Sequence, residues 1–103
     1  MSTSQREDEI DELERVCLEL LVPLRAGDDY DPQALGAVLQ QVEHLGEVWR
    51  RLDSIPKRAV SLLFELVPQL LIAADRRSEA ARVSLNHAAA EVDEAIASML
   101  RRD

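Results

Sequence analysis

The sequence predicts an all-α protein, an antiparallel four-helix bundle made by a single domain over residues 1–103. Three observations carry this reading. Four stretches repeat apolar residues in alternating steps of three and four, the spacing that lines up side chains on one stripe of a helix. Turn and cap residues separate the stretches. The chain is 103 residues long and 47% hydrophobic but only 3% aromatic, so its core must be built from Leu, Val, Ala and Ile, which suits close helix packing.

The first stripe runs Ile10, Leu13, Cys17, Leu20, Leu24, and a helix is expected over about 5–26. Ser4 stands three residues before Glu7, the spacing of a capping box. The acidic run from Glu7 to Glu12 favours the positive end of the helix dipole. Pro23 and then Gly27, Asp28, Asp29 and Tyr30 mark the stop. A second helix, expected over about 32–53, opens with Asp31 as cap and Pro32 in its first position. Its stripe is Leu35, Val38, Val42, Leu45, Trp49, Leu52. Ser54, Ile55 and Pro56 make the next break.

The third helix, expected over about 56–75, differs from the rest. Its stripe is read as Val60, Leu63, Val67, Leu70, Ala74, but between Ala59 and Ala74 only Ser61, Glu65, Pro68 and Gln69 are not apolar. A helix apolar on nearly all sides is expected to be covered on more than one. Pro68 removes a backbone hydrogen bond in mid-helix and predicts a kink. The fourth stripe is Ala81, Leu85, Ala88, Val92, Ala95, Met99, with a helix expected over about 78–101 capped by Ser78. No Gly or Pro lies between Gln69 and the C-terminus. An alternative is therefore a three-helix domain in which the third and fourth helices fuse into one of about 45 residues, roughly 68 Å long, that dimerises to bury its seam.

Charge and motif content narrow the function classes. The net charge of −8 and the single lysine, Lys57, argue against a nucleic-acid surface, which needs clustered cations, and against an anionic membrane. Cys17 is the only cysteine and lies on the first stripe, where a thiol packs as a small hydrophobe. The opening residues are polar and then acidic, unlike a secretion signal, so the expected location is the cytoplasm. His44 with Glu47 and His87 with Glu91 have helical spacing, but Gln41 and Ser84 stand where the Glu of a diiron Glu-x-x-His motif would be, so no metal is expected. Asp28, Asp29 and Asp31 lack the alternation of a calcium loop. No nucleophile has a base one turn away, and the three glycines are isolated, so neither a catalytic residue nor a cofactor is expected.

Two surface features remain. The apolar residues beyond a single seam, Leu62, Phe64, Leu66, Leu71 and Ile72, with Leu18 and Val22 on the first helix, point to an interface, and Trp49, the only Trp and next to Arg50, reads as an anchor residue of it. The arginine doublets at helix ends would gather Arg50, Arg51, Arg58, Arg101 and Arg102 at one end of an up-down bundle as a weak anion patch, close to the acidic start of the first helix. The expected function is a non-catalytic protein-binding or regulatory module acting by helix-on-helix burial, as a homodimer. The alternative is a bundle that binds a small molecule or anion through its arginine-rich end.

Overall fold

The computed structural model describes residues 3–49 and 55–100, with side chains described from residue 7 onward. Four helices follow one another: α1 (Thr3–Arg25), α2 (Pro32–Val48), α3 (Lys57–Asp75) and α4 (Glu79–Leu100). The helix α1 starts ahead of Ser4, so that residue lies inside the helix rather than at its cap. Its C-terminus closes in a Schellman motif. Gly27 takes φ +90°, its N–H donates to the Leu24 carbonyl at 3.1 Å, and the Asp28 N–H donates to the Pro23 carbonyl at 2.9 Å. A side chain at position 27 would strain this turn, because L-residues rarely adopt that φ.

The Asp31 carboxylate caps α2 by accepting from the Gln33 N–H at 2.9 Å, with Pro32 just inside the helix as the sequence predicts. The helix ends at Val48, short of the expected residue 53. Trp49 forms its C-cap and donates its backbone N–H to the Leu45 carbonyl, while residues 50–53 of the expectation lie outside the described residues. Pro56 flanks α3 rather than entering it. Pro68 sits on the solvent side of α3, which runs unbroken through it.

The fused third and fourth helices are not found. A turn at residues 76–78 separates α3 from α4, and it is made without a glycine. Arg76 takes φ −94°, ψ 3°, and the Arg76 and Arg77 N–H groups donate back three residues to Ala73 and Ala74. This tightened last turn reverses the chain without any positive φ. Ser78 then starts α4: its carbonyl accepts from the Arg82 N–H and its hydroxyl from the Ala81 N–H.

The helices pack as a bundle in which α1 touches α2 and α3, and α4 touches α2 and α3. The diagonal pairs, α1 with α4 and α2 with α3, make no contact among the described residues. Directions alternate along the chain. Arg58 near the start of α3 bonds Asp11 and Glu14 in the first half of α1, and Arg77 beyond the end of α3 bonds the Leu24 carbonyl at the end of α1, so α1 and α3 run parallel. The fold is thus two antiparallel hairpins, α1–α2 and α3–α4, laid side by side, with the chain passing from α2 to the diagonally opposite α3. Gly46 lies at the close approach of α2 to α4, where a Cβ would meet Met99 Cγ at 3.3 Å.

The core contains the stripe read from the sequence on α1 and that on α2 as far as Trp49, Leu52 lying outside the described residues, together with Leu85, Ala88 and Val92 of α4. The stripe of α3 is rotated from the expected one. Its buried residues are Ala59, Leu63, Leu66, Leu70, Ala73 and Ala74, whereas Val60 and Val67 are only half-buried. Two residues read as interface therefore belong to the core of the chain itself: Leu66 is 0% exposed and Trp49 5%.

Candidate interaction surface

With Leu66 turned inward, the opposite side of α3 holds Phe64, Pro68, Leu71 and Ile72. Phe64 is the most exposed large apolar residue among those described, at 76%, and Leu71 and Ile72 are also exposed. Leu62, also read as interface, is half-buried at the edge of the core. The parallel register of α1 and α3 sets exposed apolar side chains of α1 at the same height. Arg58 fixes one end of the pair and Arg77 the other, which brings Leu18 and Val22 of α1, both exposed, level with the middle of α3. Six apolar side chains on two adjacent helices thus face water. Folding that leaves such a face uncovered gains nothing from it, and covering it by association removes apolar area from water at about 25 cal/mol per Å².

The borders of this face are set by charge. Arg58 Nη1 donates to Asp11 Oδ1 at 2.8 Å, and Nη2 to Glu14 Oε1 at 2.7 Å. The guanidinium beside two carboxylates is held charged above its ordinary pKa, chiefly by these hydrogen bonds. Of the expected anion patch only Arg58 lies in the described region, and it is occupied by carboxylates of its own chain; Arg50, Arg51, Arg101 and Arg102 lie outside the described residues. A second arginine has a role that the sequence did not reveal. The Arg77 guanidinium donates to three carbonyls, those of Ala73 (3.0 Å), Leu24 (3.2 Å) and Asp28, tying the ends of α1 and α3 and the α1–α2 loop together. Arg15 bridges Glu12 and Glu19 along α1, which holds the Glu12 carboxyl below its ordinary range.

Between α1 and α3, next to the apolar face, a small cleft of about 180 Å³ is lined by Leu21, Leu24, Arg25, Gln69, Ile72, Ala73 and Arg76. This is well below the ~300–1,000 Å³ of ordinary small-molecule sites. The two helices that line the cleft, α1 and α3, both end here, so their terminal carbonyls lie beside Arg25 and Arg76 and oppose an anion trap.

The histidines are placed differently from each other. His87 pairs with Glu91 one turn on, at 3.2 Å and exposed. His44, which the sequence spacing paired with Glu47, instead meets Glu9 of α1 at 3.2 Å. The Glu9 side chain is only 10% exposed, its Oε1 has no hydrogen-bond partner among the described residues, and its backbone carbonyl accepts from Gln41 Nε2. Trp49 Nε1 is likewise buried without a partner among the described residues. Cys17 is buried in α1, and burial pushes its thiol up to about 12, with a smaller contribution from Glu14. The described residues contain no group of three metal-ligating side chains, and no helix among them is long and apolar enough to cross a membrane. No protein-family model, curated protein or solved structure matches this chain.

Proposed function

We propose that this protein is a non-catalytic protein-binding module that works by burying the outward apolar face of α3 and α1 against another helical surface. The observation that supports this reading is the exposure of Phe64, Leu71 and Ile72 on a helix whose other side already completes the core. An aromatic ring left largely in water beside further apolar side chains is the composition of an interface centre. The single cysteine suits a reducing compartment, and the proposal sets the protein in the cytoplasm as a regulator or adaptor. The alternative of an anion-binding bundle has less support, since Arg58 is taken up by Asp11 and Glu14 and the cleft at the opposite end of the α1–α3 pair is small.

The test is a double variant, Phe64→Glu with Leu71→Glu, in the full chain. Both side chains are exposed, so helicity and cooperative unfolding should survive. The proposal requires that assembly state or partner capture be lost. A variant that folds as the wild type does, with assembly and capture both intact, refutes it.

A further inference from the structure

We infer that the occupant of this face is a second copy of the chain, bound with the two α3 helices antiparallel, so that Lys57 of one copy faces Asp75 of the other. The inference rests on the interaction reading above and gives that surface its partner and register.

Charge placement on α3 carries the argument. Lys57 is the first residue of the helix and Asp75 the last. The eighteen positions between them make about five turns at 3.6 residues per turn, so both lie on the same line along the helix. Along that line, between the two charges, the outward positions near the centre are Phe64, Pro68 and Leu71, with Ser61 at the edge. Both end residues are exposed, and neither has an ion-pair partner among the described residues.

Within one chain this arrangement is unfavourable. A cation at a helix N-terminus and an anion at its C-terminus both oppose the macrodipole, and the first turn of α3 holds no acidic residue, nor its last turn a basic one. An antiparallel pair reverses the sign of both terms. Lys57 then lies beside the partner's Asp75 and the carbonyl end of the partner helix. Asp75 lies beside the partner's Lys57 and the N–H end of that helix. The same two-fold axis, passing near position 66, sets Phe64 opposite the partner's Pro68 and Ser61 opposite the partner's Leu71. Such a surface is complementary to itself, as an isologous two-fold contact requires. A parallel pairing would instead set lysine against lysine and aspartate against aspartate.

The experiment is sedimentation equilibrium on the full chain and four variants: Phe64→Glu, Lys57→Glu, Asp75→Lys and the double exchange Lys57→Glu with Asp75→Lys. The wild type should dimerise, more weakly as salt is raised. Phe64→Glu should be monomeric. Each single charge reversal turns two attractions into two repulsions and should weaken the dimer by about tenfold. The double exchange should recover affinity relative to either single reversal by restoring the ion pairs, while staying below the wild type because both charges then oppose the partner's helix ends. A wild type that stays monomeric at every concentration, or a dimer indifferent to Phe64→Glu, overturns the inference. A dimer that Phe64→Glu abolishes but whose charge variants show no loss and rescue overturns the antiparallel register, while the interaction reading of the face stands. Partner capture by a monomeric wild type would likewise overturn the self-pairing and leave that reading intact.

Discussion

Leu66 and Phe64 are two residues apart on α3 and give opposite expectations. Leu66 is fully enclosed among the four helices, whereas Phe64 is 76% exposed. Truncating an enclosed leucine removes its transfer free energy and leaves a cavity, at a cost of about 2–5 kcal/mol. A loss of about 3 kcal/mol with a urea m-value of about 1.5 kcal/mol/M lowers the unfolding midpoint by about 2 M, a large part of the ~5–15 kcal/mol that holds a domain of this size. Phe64→Ala removes few contacts within the chain, so its intrinsic cost should stay within about 0.5 kcal/mol, or roughly 0.3 M in midpoint. Urea unfolding followed by circular dichroism at two protein concentrations separates the effects. The deficit of Leu66→Ala should be independent of concentration. Any deficit of Phe64→Ala should appear only at high concentration, where association adds to stability by mass action. If Phe64→Ala costs as much as Leu66→Ala in dilute protein, α3 is seated with its Val60–Val67 side inward and the argument for the exposed face fails.

Two further outcomes follow from individual side chains. Burial raises the Cys17 thiol to about 12, so the folded protein keeps the proton over a range where the unfolded chain loses it. The contribution to stability is complete below the ordinary thiol pKa and is lost as pH rises from there through about 12; alkaline unfolding of Cys17→Ser should lack this component, and native Cys17 should resist thiol reagents at pH 8 until urea unfolds the chain. Arg77→Ala strips a donor from the Ala73, Leu24 and Asp28 carbonyls and should cost about 1–3 kcal/mol by thermal unfolding. Arg77→Lys should recover less than half of that loss, because a single ammonium cannot span three acceptors as the guanidinium fork does.

Much of the fold was legible because periodicity has a clear phase wherever polar residues interrupt it. The stripes of α1 and α2 are bounded by charged and amide side chains, and every described residue on them is buried, with Val16 and Leu21 of α1 buried beside them. In α3 that contrast is missing. With leucine or valine at positions 60, 62, 63, 66, 67, 70 and 71, several rotations of the helix satisfy the same pattern. Packing chose the one that places the small Ala59, Ala73 and Ala74 against neighbouring helices and turns Phe64 outward. Trp49 was read as an anchor from its residue type alone, yet at the end of α2 its ring closes the core. The turn at 76–78 uses neither glycine nor proline, so its only local sign was a short polar run before Ser78. The task of Arg77 depends on carbonyls about fifty positions away, and no local pattern encodes it. The same holds for the Glu9–His44 contact between helices.

The diagonal passage from α2 to α3 also bears on how the bundle holds together. Each hairpin has one apolar side against its own second helix and another that only the other hairpin can cover, so neither half buries its stripe alone. The connection between them acts as a tether. It makes the meeting of the halves unimolecular, at a high effective concentration. The chain can be regarded as an obligate pair of hairpins made permanent by a single covalent link. Its interior already contains two seams of parallel helices from different hairpins, α1 against α3 and α2 against α4. The self-pairing we propose for the outward side of α3 would add a third seam, this time antiparallel, in which no such tether holds the partners together and concentration alone would decide how often it forms.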